Sequence, residues 1–320
     1  MAGLISLFGH DPATYQPHAV HGPERTYPET NCYTDILIEL LHARGDEPLA
    51  ALAVTVRQDF EGDQWTFFKP PPEDLERLFG VDIHEMQPYR PLPVQIAEQI
   101  GNGRTLIVEL DAWYLPDTAA TSYQTEHVKT SVAVEAIDPS AEVLRYYHNT
   151  SLHELSGENY RGVFRIEGTW PGDVLPPYTE LVRFDTGARL SGAALREAAR
   201  ATLRGHLDRV PPGNPFDRFT ERLIADLPSL LEGDAAAYHA YAFATVRMAG
   251  AGFELLASHV DWLLGESSAT AAAAFGRIVE GTKVLGFKLA RRRPFDPEPA
   301  LRTLSEAWSE GLGALNDVVG

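Results

Sequence analysis

Sulfur is scarce in this chain, with one cysteine and three methionines in 320 residues. A single cysteine excludes an internal disulfide and a thiolate zinc cluster, so Cys32 has no structural sulfur partner and a reducing, cytoplasmic setting is expected. Cations are also short: 27 Lys and Arg stand against 45 Asp and Glu, a formal net charge of −18. Coating nucleic acid takes clustered cations that displace counterions, so no nucleic-acid partner is expected. No apolar run reaches the roughly 20 residues of a membrane helix. The alanine-rich segments are broken by Arg247, Glu254, Asp261 and Glu266, and residues 1–9 lack the basic start and cleavage site of an export signal. No membrane association is expected. Phosphate-cradling and dinucleotide glycine patterns are missing, and Gly101-Asn102-Gly103 reads as a turn.

What is present is a chain of 44% hydrophobic residues, enough for one large core or two ordinary ones. Its character changes between about residues 168 and 190, where Trp170-Pro171-Gly172 through Pro176-Pro177 reads as a connector. The expectation is an α+β catalytic domain over residues 1–175 and an all-α helical bundle over 176–320. In the first, Tyr33, Ile36, Leu37, Leu40 and Leu41 recur at helical spacing, and Pro28, Thr30 and Asn31 supply start signals, so Cys32 falls in a first helical turn. Thr105–Tyr114, Val128–Ile137 and Val143–Asn149 carry the strongest strand patterns; the last two form an antiparallel hairpin through Asp138-Pro139-Ser140. Gln64–Lys69 also reads as a strand. Beyond the connector, helices are expected over about 191–209, 215–231, 234–264, 268–290 and 298–317.

A thiol attacks an acyl group as the thiolate, and a helix N-terminus favours that form. Cys32 has this position, and His127, at the mouth of a strand, is the candidate base. A third group must hold the imidazole in the productive tautomer, for which Asp111, Asp138, His148 and Asn149 are available. Cys on a helix, then His on a strand, then an amide or carboxylate nearby is the papain-like chain order. Trp65, Phe67, Phe68, Trp113 and Tyr114 could wall an acyl pocket, the alternative being ordinary core. Asp59, Glu61 and Asp63 lack the further ligands of a calcium loop, and His10, His18 and His21 lack zinc spacing, so no metal is expected. Lys283, Lys288, Arg291, Arg292 and Arg293 form the chain's local concentration of cations.

The runs T-N-C-Y-T-D-I-L-I-E-L-L (Thr30–Leu41), V-E-L-D-A-W-Y-L-P (Val108–Pro116) and E-H-V-K-T-S-V-A-V-E-A-I-D (Glu126–Asp138) resemble three blocks of the butirosin biosynthesis protein H family. The whole chain also resembles an uncharacterised bacterial family carrying P-E-T-N-C-Y and D-F-E-G-D-Q-W-T-F-F-K, here Pro28–Tyr33 and Asp59–Lys69. The resemblance implies a papain-like (cysteine-peptidase-like) domain that moves an acyl or aminoacyl group from a carrier-protein thioester to a small-molecule amine, the alternatives being a cysteine hydrolase (peptidase, amidase or thioesterase) or a non-catalytic binding module on the same fold. It implies Cys32 as nucleophile, His127 as base and, by analogy with the papain-type amide, Asn149 as orienting residue. The Cys32 N–H and the Asn31 side chain would meet the oxyanion, and Trp65, Asp111 and Tyr114 would face substrate. The chain would need no cofactor of its own, since phosphopantetheine arrives on the acyl or aminoacyl carrier protein. Lys288, Arg291, Arg292 and Arg293 would dock that acidic partner.

Overall fold

The computed structural model describes residues 3–166 and 175–319. In chain order the elements are β1 (Ile5–Ser6), α1 (Cys32–Ala43), β2 (Phe60–Glu61), β3 (Gln64–Trp65), α2 (Pro72–Phe79), β4 (Asp82–Glu85), α3 (Leu92–Gly101) and β5 (Thr105–Asp111). They continue with β6 (Lys129–Asp138), β7 (Val143–His148), β8 (Ser151–Ser156), α4 (Glu158–Val163) and β9 (Thr179–Arg183). The helices α5 (Gly192–Leu207), α6 (Pro215–Glu232), α7 (Ala235–Ala242), α8 (Met248–Leu264), α9 (Ala269–Ala290) and α10 (Glu298–Val319) complete the chain. It is therefore α+β, an antiparallel sheet followed by a helical region.

Two compact units emerge, and they are interleaved in sequence. A sheet unit comprises Met1–Ala19, Cys32–Pro48 and Pro72–Leu190; a helical unit comprises Val20–Asn31, Leu49–Pro71 and Ser191–Gly320. The sheet runs β4-β9-β5-β6-β7-β8, every pair antiparallel, with β1 added to the far end of β6. One face is covered by α3 through a core that includes Ile96, Ile100, Val108, Val132, Val134 and Tyr146. α1 packs along β6 and β7, and its residues from Tyr33 to Leu41 are all buried. A helix buried all round must also bury its polar residues, and Asp35 and Glu39 are both inaccessible. Glu39 accepts the Tyr15 hydroxyl at 2.6 Å and the His18 N–H at 3.1 Å. Burial, then the Glu39 charge, raises the Tyr15 hydroxyl's pKa, so it stays a donor.

The expected boundary after residue 175 needs correction on both sides. β9 starts at Thr179 yet lies second in the sheet, between β4 and β5, because its Leu181 and Val182 complete the core; the sheet unit therefore runs to Leu190. Trp170-Pro171-Gly172, read as part of the connector, lies outside the described residues. In the other direction, residues 20–31 and 49–71 belong to the helical unit. The Glu254 carboxylate on α8 accepts the Thr26 and Tyr27 N–H groups at 2.5 and 2.9 Å, and the Tyr27 hydroxyl donates to Thr282 at 2.9 Å. The Gln58 amide donates to the Met248 carbonyl at 2.9 Å. Residues Pro48–Arg57 form a 3₁₀ helix, and of the expected strand Gln64–Lys69 only Gln64–Trp65 pairs, with Phe60–Glu61. The expected strand to Tyr114 stops at Asp111, whose side chain caps a 3₁₀ turn, Ala112–Tyr114, by accepting the Trp113 N–H at 3.1 Å. The helical expectations hold to within a few residues, except that 234–264 is divided by a π-helical turn at Phe243–Arg247. Among the described residues no helix is long and apolar enough to cross a membrane.

The small residues of α8 answer to packing. A Cβ at Gly250 would overlap the Tyr27 ring, and one at Gly252 would overlap the Gln58 amide, whereas a Cβ at Gly276 of α9 meets nothing. Alanine is the better helix former by about 1 kcal/mol, but overpacking costs about 1–3 kcal/mol. Gly276→Ala is expected to raise Tm and Gly250→Ala to lower it; a Gly250→Ala protein at least as stable as wild type would contradict the packing.

His259 on α8 is fully buried, its Nδ1–H donating to the Leu49 carbonyl at 2.7 Å while Nε2 has no hydrogen-bond partner among the described residues. Burial, and secondarily His206, holds its pKa down at about 4. The unfolded imidazole takes its proton near pH ~6.5, so the unfolded state gains protons first as pH falls. The contribution is complete above that pH and is lost on descending to pH 4, about 3 kcal/mol in all. Urea titrations are expected to show this loss in wild type and its absence in His259→Gln; identical pH slopes would contradict it.

Candidate active site

The site is built at one end of the sheet face that receives α1. Cys32 is the first residue of α1, partly exposed. Among the described residues its thiol has no hydrogen-bond partner, His127 included. His127 lies two residues before β6, its ring largely exposed. The imidazole is held from two directions: Nδ1 meets the Asp111 Oδ2 at 2.7 Å, and the ring stacks on Trp113 with centroids 4.5 Å apart and planes 11° apart. Asp111 is at the end of β5 opposite Lys129, so strand pairing brings it to His127, and its other oxygen caps the turn that places Trp113. With Nδ1–H donated to a carboxylate, Nε2 is the free, basic nitrogen.

Beside the pair runs a groove of about 400 Å³ lined by Asp111, His127, Lys129, Arg165 and Tyr178. Its walls are tied internally: Lys129 Nζ donates to Glu109 at 2.6 Å and Arg165 to the Leu175 carbonyl at 2.8 Å. A buried carboxylate links the groove to the turn of Cys32. Glu180 of β9 accepts the Tyr33 hydroxyl at 2.5 Å on one oxygen and the Tyr178 hydroxyl at 3.1 Å on the other. Glu180 pairs with Ile107, and alternation puts Glu109 and Asp111 on that same face. Burial, then the charge of Glu180, pushes the Tyr178 hydroxyl up to about 12; burial and the Glu180 hydrogen bond raise Tyr33, and both remain donors.

The side chain that meets the His127 ring is thus that of Asp111, not that of Asn149. Asn149 sits in the two-residue β7–β8 turn with φ 50°, which suits asparagine, and its side chain makes no contact with His127. Asp138 accepts Ser140 and Ala141 N–H groups in the β6–β7 turn. His148 is buried and uses both ring nitrogens, Nδ1 to Asp117 at 2.5 Å and Nε2 to the Thr130 hydroxyl at 2.8 Å, fixing the start of β6. Burial raises Asp117, but the hydrogen bond and charge of His148, with help from His153 and Tyr146, outweigh it and hold the carboxyl below its ordinary range.

Three further expectations change. Asn31 is buried in the helical unit with its amide donating to the Phe68 carbonyl at 2.6 Å, so that side chain serves the backbone rather than an oxyanion. Trp65 is 2% exposed and packs on Phe60, Phe216, Phe219 and Phe253, an aromatic core whose loss costs about 3–5 kcal/mol per ring. Tyr114 lies against Gly162, where a Cβ would overlap its ring. Lys288 approaches the Phe295 ring at 5.6 Å near the C-terminal end of α9, Arg291 and Arg293 are exposed, and Arg292 donates to the Gly233 carbonyl. Among the described residues no group of three or more His, Cys, Asp or Glu could hold a metal.

The N-terminal domain of DUF1839 matches residues 16–184 and its C-terminal domain residues 192–317. The chain belongs to the DUF1839 family. The two DUF1839 domains meet between 184 and 192, where the sheet unit gives way to α5. No curated protein matches the chain. Within DUF1839 terms, Cys32, Asp111 and His127 all fall in the N-terminal domain.

If Asp111 sets the tautomer, nitrogen-resolved NMR of the His127 ring should show the Nδ1–H form in wild type and in Asn149→Ala, and a mixed population in Asp111→Ala. An unchanged ring in Asp111→Ala would contradict the assignment.

Proposed function

We propose that this protein is a cysteine acyltransferase with a papain-like catalytic domain, which takes an acyl or aminoacyl group from a carrier-protein thioester and passes it to an amine. The observation that carries the reading is the His127–Asp111 pair at 2.7 Å, beside a groove on the face where α1 presents Cys32. His127 Nε2 takes the Cys32 proton as Sγ attacks the thioester carbonyl; the carrier's phosphopantetheine thiol leaves with that proton. The amine then attacks acyl-Cys32, His127 accepts its proton, and the Cys32 sulfur departs and is reprotonated. Asp111 stabilises the imidazolium formed in each half-reaction. The Cys32 N–H at the helix start is the donor proposed for the oxyanion. The protein works on this reading in the cytoplasm, without a cofactor of its own.

The carrier is recognised at the end of α9. Lys283, Lys288, Arg291 and Arg293 flank in sequence the exposed Val284 and Phe287, a mixed basic and apolar segment suited to an acidic helical partner.

Intact-mass spectrometry with a panel of acyl- and aminoacyl-loaded carriers tests the reading. Wild type should gain one acyl mass, Cys32→Ala none, and His127→Ala should acylate about 10²–10⁴-fold more slowly. Product analysis then separates transfer, an amide of the acceptor, from hydrolysis, a free acid. A wild-type protein that no loaded carrier marks contradicts the proposal. Arg291→Glu with Arg293→Glu should raise KM for the carrier about tenfold, and an unchanged KM removes the α9 docking surface.

A further inference from the structure

The helical unit holds a second cavity, of about 480 Å³, lined by Val54, Arg57, Lys69, Phe67 and Arg209 among others, all from that unit. Several arginines of this acidic chain pair with carboxylates, Arg145 with Asp11 and Glu154, Arg189 with Asp46, Arg218 with Asp59 and Arg277 with Glu310. Arg57 does not. Among the described residues its guanidinium has no hydrogen bond or ion pair, and its Nε is shut from solvent without a partner. A half-buried guanidinium presents only donors, and leaving them unmet is costly, so the complement is an anion that the chain does not supply. Arg209, held by its Nε–H to the Gly205 carbonyl at 2.8 Å, brings a second guanidinium to the cavity. Of the acidic residues that line it, Asp59 is ion-paired with Arg218 and Glu61 is exposed.

A second observation concerns the ligand's body. Phe67 is 54% exposed and lies nearly parallel to Phe68, with 19° between ring planes. An exposed flat ring at the edge of a cationic cavity is a platform for another flat group. Val54, Pro71 and Pro211 add apolar wall, and the volume is that of an ordinary small-molecule site.

We infer that this cavity binds a phosphate monoester with a planar, apolar body, its phosphate on Arg57 and Arg209 and its ring on Phe67. Two guanidinium groups favour a doubly charged phosphate over a carboxylate, and the guanidinium fork matches its oxygens. The inference does not rest on the chemistry proposed at Cys32.

Calorimetric titration of the full chain with phenyl phosphate, inorganic phosphate, benzoate and phenol tests the inference. Wild type should bind phenyl phosphate saturably, about tenfold or more tighter than each of the other three. Arg57→Met should lose about tenfold or more for phenyl phosphate. Phe67→Ala, an exposed change with little consequence for folding, should bind inorganic phosphate as wild type does and lose the preference for phenyl phosphate. Arg302→Ser, an exposed position remote in sequence from every residue that lines the cavity, should leave all four titrations unchanged. Absence of saturable phenyl phosphate binding, benzoate binding as tight, or an unaltered preference in Phe67→Ala would each overturn the inference, as would wild-type affinity in a folded Arg57→Met protein.

Discussion

A carboxylate out of water needs donors, and in the sheet unit Glu39, Glu135 and Glu180 each find two or more. Glu135, in the middle of β6, accepts the Ser6 hydroxyl at 2.8 Å, the N–H groups of Phe8 and Gly9 at 3.0 and 2.9 Å, and the Tyr147 hydroxyl at 2.9 Å. It thereby fixes the N-terminal arm against the sheet. Glu39 ties Tyr15 and His18 to α1, and Glu180 ties α1's first turn to β9 through Tyr33. Leaving one such group unpaired costs about 3–5 kcal/mol, so these bonds pin the helix to one position on the sheet. The direction in which Cys32 points depends on that position.

The same constraint organises the candidate chemistry. Glu180 is shared between Tyr33, next to Cys32, and Tyr178, in the wall of the His127 groove, so the turn of Cys32 and the groove of His127 hang on one carboxylate. His127 is positioned by different means: the β5–β6 register brings Asp111 to it, Trp113 supports its ring, and the buried Asp117–His148–Thr130 chain fixes the strand that follows. Asp111 serves both imidazole and turn, one oxygen for each.

Much of this was legible in the sequence where a pattern is local. Helical periodicity and breakers located the long helices, alternation located β6 and β7, and the capping signals before Cys32 placed it in the first turn of α1. Asp111 was among the residues available to orient His127, but only the register decides between it and Asn149, and register is set by turns, bulges and neighbouring strands rather than by either strand alone. Strands of four to six residues such as β4, β8 and β9 carry too little alternation to stand out. The exchange of segments between units was not legible, because Tyr27, Gln58 and Trp65 meet their partners about 150 to 255 residues away. Trp65 looked like a pocket wall for the same reason: aromatic residues line sites and cores alike, and only its neighbours tell which.

The central claim, that thiol and imidazole meet, is tested most directly by a short bifunctional alkylating agent. Dibromoacetone first alkylates a reactive thiol and then captures a nitrogen within reach of its three-carbon span. Peptide mapping is expected to show Cys32 bridged to His127, with both bromides lost, in wild type and not in His127→Ala. A Cys32 adduct whose second arm reaches some other residue, or only water, would contradict the account.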